Sequence, residues 1–258
     1  MTGSVGGGPL VLGGAIGKFG NHRDGSHWRD RVREVAAQAL AQSGLDARDI
    51  DALVVGNECD AVSLQINPAP VVASDIGLTH CSAMRVEGGG ASCALALRAG
   101  VLHVLSGLAR RCARGRLRRH GQPAQGSRHT SAVFTLSFDT DVEGLAGANA
   151  ASLYALSMVG HMRRHGSTER QMATVAVKNR GNARFNPVAH KPMAISIDDV
   201  MRSPPVSTPY KRFDCSLLSD GAAAIVLCAP GAAPHARGAR VRISGCGCAT
   251  DLSLIHIS

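Results

Sequence analysis

Short apolar runs alternate with helical segments along the first hundred residues, and this alternation limits the folds open to the chain. Residues 28–43 form the clearest helical pattern, which places Val32, Val35 and Leu40 on one face and ends at Gly44. The order strand, helix, strand, helix, strand predicts a parallel sheet with helices on its faces. The other segments of this pattern are strands at 10–16, 51–56 and 84–88 and a short helix from Pro70 to Ile76.

Composition supports a globular protein. The chain has 258 residues, of which 45% are apolar and 18% charged, so it can bury a substantial core. It has no apolar run of membrane-spanning length, and residues 1–20 lack the pattern of a secretory leader. We therefore expect a cytoplasmic protein without a membrane segment.

The cysteines do not follow a metal-binding spacing. Only Cys246 and Cys248 lie close together, without the second pair that a zinc site needs. We therefore predict no metal site and free thiols that are mostly buried. The eight cysteines are Cys59, Cys81, Cys93, Cys112, Cys215, Cys228, Cys246 and Cys248.

A glycine-rich turn is the strongest local signal. Residues 87–100 read EGGGASCALALRAG, which predicts a turn at Gly88–Gly90 between a strand and a helix over 91–108. The spacing fits neither a phosphate-binding loop nor a dinucleotide fingerprint. Two interpretations remain: Cys93 is a nucleophile activated at the helix start, or the glycines only let the helix pack closely on the sheet.

The second half of the chain contains further helical and strand signals. Thr168 and Gln171 form a capping-box pattern for a helix over 169–183, and Pro187 and Pro192 predict an irregular loop over 186–192. We also expect a helix over 149–166 and strands over 219–229 and 239–247.

Four stretches in this order resemble the thiolase superfamily, and most closely its sterol-carrier-type acetyl-CoA acetyltransferase branch. They are VEGGGASCALALRAG (86–100), DVEGLAGANAASLYALSMVGHMRRHG (141–166), ATVAVKNRGNARFNPVAH (173–190) and DCSLLSDGAAAIVL (214–227). The resemblance implies an α/β fold of the thiolase-like layered α-β-α type. It divides the chain into an N-terminal core (8–140), a helical and loop insertion (141–212) and the start of a C-terminal core (213–250).

The resemblance also implies acyl transfer on coenzyme A thioesters, with no bound cofactor and an acylated cysteine at the start of the central helix. The family motif Val-Glu-x-x-Cys-Ala-Ser-Gly, set on Val86 and Glu87, places Gly90 at the nucleophile position and Cys93 at the glycine position. Cys93 is therefore the candidate nucleophile, displaced about 4.5 Å along a helix axis from the family position. The alternative is a small residue packed in the helix.

A glycine at the nucleophile position opens two further interpretations. One is a thiolase-like lyase that cleaves a carbon–carbon bond by retro-aldol chemistry, beside a zinc-ribbon/OB-fold partner protein. The other is a non-catalytic subunit. The resemblance further implies a homo-oligomeric parent enzyme whose partner molecule is acyl-CoA.

The resemblance assigns four residues to substrate binding. Asn182 and Asn186 match the Asn-Pro loop over the family's substrate channel, and Ser219 and Gly221 match the turn before a core strand. The alternative for all four is a conformational role in loops and turns.

An arginine-rich segment interrupts the pattern. Residues 110–138 hold seven arginines and no acid, at a point where the fold requires a buried strand. One set of synonymous codons for Cys112 to Ser127, read one base later, encodes Ala-Leu-Val-Val-Gly-Cys-Gly-Asp-Met-Ala-Ser-Pro-Leu-Lys-Glu-Ala, which has the character of that strand. We therefore expect 112–131 to be frame-shifted. The alternative is an arginine-rich loop that binds nucleic acid or an acidic partner.

The last residues raise a similar expectation. LSLIHIS (252–258) resembles translated adaptor sequence, so we expect a non-native tail there. A thiolase-like chain of this extent lacks the second catalytic half, and we expect it to be inactive by itself.

Overall fold

The computed structural model describes residues 7–22, 26–58, 60–118, 133–232 and 241–249. Within these, the chain divides into two units. The first unit combines residues up to 118 with residues 219–249, and the second comprises residues 133–218. The predicted tail at 252–258 and most of the predicted frame-shifted segment lie outside the described residues.

The first unit is built on a six-stranded mixed sheet. Its strands lie in the order β3-β2-β4-β7-β1-β8. Their bounds are β1 Leu10–Ile16, β2 Ala52–Asn57, β3 Ser82–Val86, β4 Arg111–Arg118, β7 Gly221–Cys228 and β8 Val241–Arg242, while the two strands β5 Pro205–Ser207 and β6 Tyr210–Lys211 pair with each other in the second unit.

The first four strands run in one direction, as the alternating pattern predicts. Strand β2 is parallel to both β3 and β4. The sheet is nevertheless mixed, because β7 is antiparallel to its two neighbours, β4 and β1. The predicted parallel arrangement concerned the alternating strands of the first hundred residues, and the apolar run of β7 carries no information about its direction.

Three helices of the first unit flank this sheet, and a fourth is a single turn. Helix α1 has the predicted bounds: His27 and Asp30 form its capping box, and Gly44 follows it with a left-handed φ of 71°. The bounds of the two other predicted helices of this unit shift by one to three residues. The helices are α1 Trp28–Ser43, α2 Asp60–Ser63, α3 Pro68–Asp75 and α4 Ser92–Leu105.

Alternate residues of β2 divide the core into two layers. Leu53 and Val55 pack in a cluster with α1 and α3, whereas Ala52 and Val54 pack in a second cluster with α4. All four side chains are at most 1% exposed. Because successive strand residues point to opposite faces, this division places helices on both sides of the sheet. The first unit therefore has the predicted layered α-β-α arrangement.

The arginine-rich segment supplies a central strand. Strand β4 pairs along its length with both β2 and β7, and Cys112 at its start is fully buried. The expectation that these residues as written form no strand is thus wrong for residues 112–118. Two complete backbone ladders satisfy the peptide groups of β4 whatever its side chains are. The frame slip itself concerns the DNA and stays a prediction.

The second unit is mainly helical. Thr168 and Gln171 form the predicted capping box, and Gly166 closes the preceding helix with a left-handed φ of 67°. A π-helical turn at Thr140–Gly144 precedes the helices. The helices are α5 Ala150–His165, α6 Glu169–Ala183 and α7 Ile197–Arg202.

In the part of the chain that the structure describes, no helix is both long and apolar enough to cross a membrane.

Candidate functional site

The candidate site begins at the turn between β3 and α4. Gly89–Ala91 form one 3-10 turn. Its first residue, Gly89, has a left-handed φ of 53°. Ser92 stabilises this turn, because its hydroxyl donates to the Gly89 carbonyl at 2.7 Å and accepts from the Gly88 amide at 3.0 Å. The Glu87 carboxylate accepts from the Gly89 amide at 2.7 Å. The turn is therefore held by its own hydrogen bonds, and α4 starts two residues after Gly90.

The glycines of this turn have different surroundings. A β-carbon at Gly88 would collide with the Leu95 side chain, so the absence of a side chain at Gly88 lets the turn close over α4. A β-carbon at Gly90 would meet no atom within 4 Å. The position that the family motif gives to the nucleophile is thus open, and it can accept a larger side chain.

Cys93 is the second residue of α4 and is half-buried. Its sulfur lies 3.9 Å from the Gly56 carbonyl oxygen, to which the thiol donates a weak hydrogen bond. A β-carbon at Gly56 would approach the Cys93 Cα to 3.0 Å, so this glycine permits the close contact between β2 and α4. The Cys93 thiol therefore faces the carboxyl end of β2.

Polar side chains that sequence reasoning missed lie at the same ends of β2 and β3. Asn57 ends β2, is fully buried, and donates from Nδ2 to the Ser63 hydroxyl at 3.1 Å. Arg85, near the end of β3, forms an ion pair with Asp60 and has a side chain only 19% exposed. The carboxyl ends of parallel strands share one edge of a sheet. A polar residue directly after an apolar strand run could therefore have identified these side chains as candidates for the site.

Two predicted substrate-binding residues lie at this same edge. Gly221 begins β7 opposite Arg118, the last residue of β4, and Ser219 is half-buried just before it. A β-carbon at Gly221 would come within 2.5 Å of the Phe19 Cδ1 atom. The structure therefore brings Ser219, Gly221, Gly90 and Cys93 to one edge of the sheet, and it gives Gly221 a packing role against Phe19.

The other two predicted residues belong to the second unit. Asn182 is exposed near the end of α6, and its carbonyl accepts from the Phe185 amide at 3.1 Å. Asn186 is also exposed, and its side-chain oxygen accepts from the Val188 amide at 3.1 Å across Pro187. This contact fixes the start of the predicted irregular loop. The assignment of both residues to substrate binding stays a prediction.

The thiols are more exposed than predicted. Of the seven described cysteines only Cys112 and Cys228 are buried, while Cys246 and Cys248 are exposed. Burial raises the pKa of the Cys112 thiol to about 12, with smaller contributions from nearby Asp51 and Cys81. Among the described residues no three His, Cys, Asp or Glu side chains form a group that would hold a metal ion.

The chain is similar in sequence to known proteins. No protein-family model matches the chain. The acetyl-CoA acetyltransferase of Methanothermobacter thermautotrophicus is 36% identical over 219 residues, which are 84% of this chain and 56% of the relative. The 17-hydroxy-3-oxo-4-pregnene-20-carboxyl-CoA lyase of Mycobacterium tuberculosis is 30% identical over 75% of this chain and 50% of its own length.

A solved structure gives the same fold. The Ltp2-ChsH2(DUF35) aldolase superposes with a TM-score of 0.72 at 23% identity and covers 94% of this chain and 61% of the solved one. The chain thus spans about half the length of the curated relatives it matches. The layered sheet, the glycine turn before α4 and these matches make the chain a thiolase-like relative of the thiolase superfamily.

Proposed function

We propose that the chain is part of a thiolase-like acyl-CoA acyltransferase of the acetyl-CoA acetyltransferase type, which forms or cleaves carbon–carbon bonds in coenzyme A thioesters. The observation that carries the proposal is the rigid turn from Gly88 to Gly90, which presents Cys93 on the first turn of α4 at the carboxyl edge of the sheet. The acetyl-CoA acetyltransferase that matches 84% of the chain supports it. Because the chain spans 56% of that relative, the proposal concerns the complete enzyme.

Cys93 is the proposed acylated residue. The thiol gives up its proton and the sulfur bonds to the thioester carbonyl carbon; the carbon–sulfur bond to coenzyme A then breaks, and coenzyme A leaves as its thiol. The acyl group passes in a second step to the carbon nucleophile of another acyl-CoA, or back to coenzyme A.

A retro-aldol lyase is the second candidate, and Gly90 favours it. This chemistry breaks a carbon–carbon bond next to a hydroxyl group and needs no acyl-enzyme, so an open glycine at the nucleophile position is compatible with it. One relative is a CoA lyase and one structural neighbour is an aldolase whose name includes a second component, ChsH2(DUF35). For the lyase, we propose that the chain acts together with a partner protein that has a zinc-ribbon/OB-fold.

The remaining features of the proposal follow the resemblance. The substrate is an acyl-CoA, no cofactor stays bound, and the complete protein is a cytoplasmic homo-oligomer in lipid metabolism. Asn182 and Asn186 would lie along the substrate channel, and Ser219 would lie near the acyl group.

A chimera tests the proposal. This chain replaces the matching part of the Methanothermobacter acetyl-CoA acetyltransferase, which supplies the rest of the enzyme. After brief incubation with acetyl-CoA, we expect mass spectrometry to find one acetyl group on the Cys93 peptide, absent in Cys93→Ala and retained in Cys81→Ala.

The same chimera separates the alternatives. Cleavage of a β-hydroxyacyl-CoA without any adduct would replace the acyltransferase by the lyase. A folded chimera that shows neither adduct nor cleavage would leave a non-catalytic subunit as the better account.

A further inference from the structure

Two histidines lie one turn apart on the exposed face of α5, in the second unit. The ring centroids of His161 and His165 are 4.6 Å apart, with the ring planes tilted by 46°. Both side chains are exposed. Within the described residues neither ring makes a hydrogen bond or an ion pair, and each imidazole contacts the other.

The helix holds the two rings in place. Residues four apart lie on the same face of an α-helix, with their β-carbons about 5–6 Å apart. Helix α5 has 16 residues, is capped by Asn149 at its start and is followed by Gly166, whose amide donates to the Met162 carbonyl at 2.9 Å. The backbone between the rings is therefore ordered before any ligand binds, and only side-chain rotation has to be restricted.

Charges of both signs surround this position. His165 is the last residue of α5, where the helix dipole places its negative end. Arg163 and Arg164 oppose a cation, but both are exposed, and water and salt screen their charges over a Debye length of about 8 Å. Neutral imidazole nitrogen is the commonest protein ligand for transition metals.

We propose that His161 and His165 form a bidentate surface site for a divalent transition-metal ion such as Cu²⁺, Ni²⁺ or Zn²⁺. Imidazole ligands suit this class of ion, and among these three Cu²⁺ binds most tightly. No third His, Cys, Asp or Glu completes the site among the described residues, so the remaining coordination positions are open to water or to another molecule. The site is thus an exchangeable one and differs from a closed structural zinc site.

The test uses the full chain and Ni²⁺ held by nitrilotriacetate, which leaves a pair of adjacent coordination positions open and so selects for two neighbouring imidazoles. We expect saturable binding of one equivalent by titration calorimetry. Replacing either His161 or His165 by alanine is expected to weaken it by at least about tenfold, because the second bond then no longer forms within the same complex.

A register variant is the matched control. The exchange Arg163→His with His165→Arg keeps composition and charge but places the imidazoles two residues apart, on different faces of the helix. We expect it to bind as weakly as His161→Ala, whereas His22→Ala binds like the original chain. Far-UV circular dichroism verifies that each variant keeps its helices. Binding of the register variant as tight as that of the original chain would overturn the proposal, because other ligands, such as the exposed Cys246 and Cys248, would then account for the metal.

Discussion

The Cys93 thiol points at the Gly56 carbonyl oxygen, with sulfur and oxygen 3.9 Å apart. This contact joins the first turn of α4 to the carboxyl end of β2. Gly90, in the 3-10 turn that precedes the helix, faces open space instead. The residue that carries a thiol and the residue at the family's nucleophile position therefore have different environments, and chemical labelling can distinguish them.

Gly90→Cys should produce the more reactive thiol. A β-carbon at this position meets no atom within 4 Å, so the new thiol is open to the reagent, whereas the Cys93 thiol is half-buried and donates to the Gly56 carbonyl. We expect iodoacetamide to label the Gly90→Cys thiol several-fold faster than Cys93 at about pH 7, as quantified by peptide mass spectrometry. Gly181→Cys, also free of close contacts, is the control for an unhindered thiol away from a helix start. Labelling slower than that of Cys93 would contradict the open geometry of the turn.

Gly221→Ala should destabilise the first unit through Phe19. The new methyl group would lie 2.5 Å from the Phe19 Cδ1 atom, and such overpacking costs about 1–3 kcal/mol. Urea unfolding measures this loss. In a Phe19→Ala background the cost of Gly221→Ala should fall sharply, since the clashing ring is gone. Gly231→Ala, which has no close neighbour, should change stability little. An equal cost in both backgrounds would remove the packing explanation for Gly221.

Arg180→Lys should open the segment around Cys215. The guanidinium donates to the Phe213 carbonyl at 3.3 Å and to the Cys215 carbonyl at 3.1 Å, and it lies 5.2 Å from the centroid of the Phe213 ring. A lysine ammonium cannot reproduce this fork. We expect Cys215 to react with a thiol reagent on the order of tenfold faster, because burial now protects it and raises the pKa of its thiol. Arg184→Lys, at an exposed position, is the control. Unchanged Cys215 reactivity would show that Arg180 does not hold this segment.

Cys112 should make stability depend on alkaline pH. Its folded-state pKa is raised from 9.0 to about 12, chiefly by burial, so the unfolded chain loses this proton first as the pH rises. The stabilising contribution is complete below about pH 9 and disappears as the pH approaches 12. We expect the urea midpoint of the original chain to fall more steeply across this window than that of Cys112→Ala. Parallel curves for the two proteins would mean that Cys112 titrates in the folded state as it does in the unfolded chain.

Local signals predicted the helices well. The period of α1, its following Gly44 and the Thr168–Gln171 capping box all act within a few residues, so the sequence contains what determines them. The common direction of the first four strands also follows, because helical crossovers join β1 to β2, β2 to β3 and β3 to β4.

Long-range pairing was less predictable. Strand β7 lies between β4 and β1 and runs antiparallel to both. An apolar run in the sequence does not indicate which strands it will pair with. Strand β4 forms where side-chain pattern argues against a strand, since its ladder bonds are made by backbone groups. At the site, the glycine turn was predicted from spacing, whereas the contacts of Asn57 with Ser63 and of Gly221 with Phe19 depend on segments brought together by the sheet.

The position of β7 between β4 and β1 has a consequence for synthesis on the ribosome. Strand β1 pairs only with β7 and β8 in the described sheet, so its ladder is incomplete until residues beyond Gly221 have emerged. About 100 residues separate the end of β4 from the start of β7, which corresponds to roughly 5–20 s of translation. During that interval β1 has no partner strand, and β4 is paired on one side only, with β2. The sheet can therefore close only after the second unit has been made.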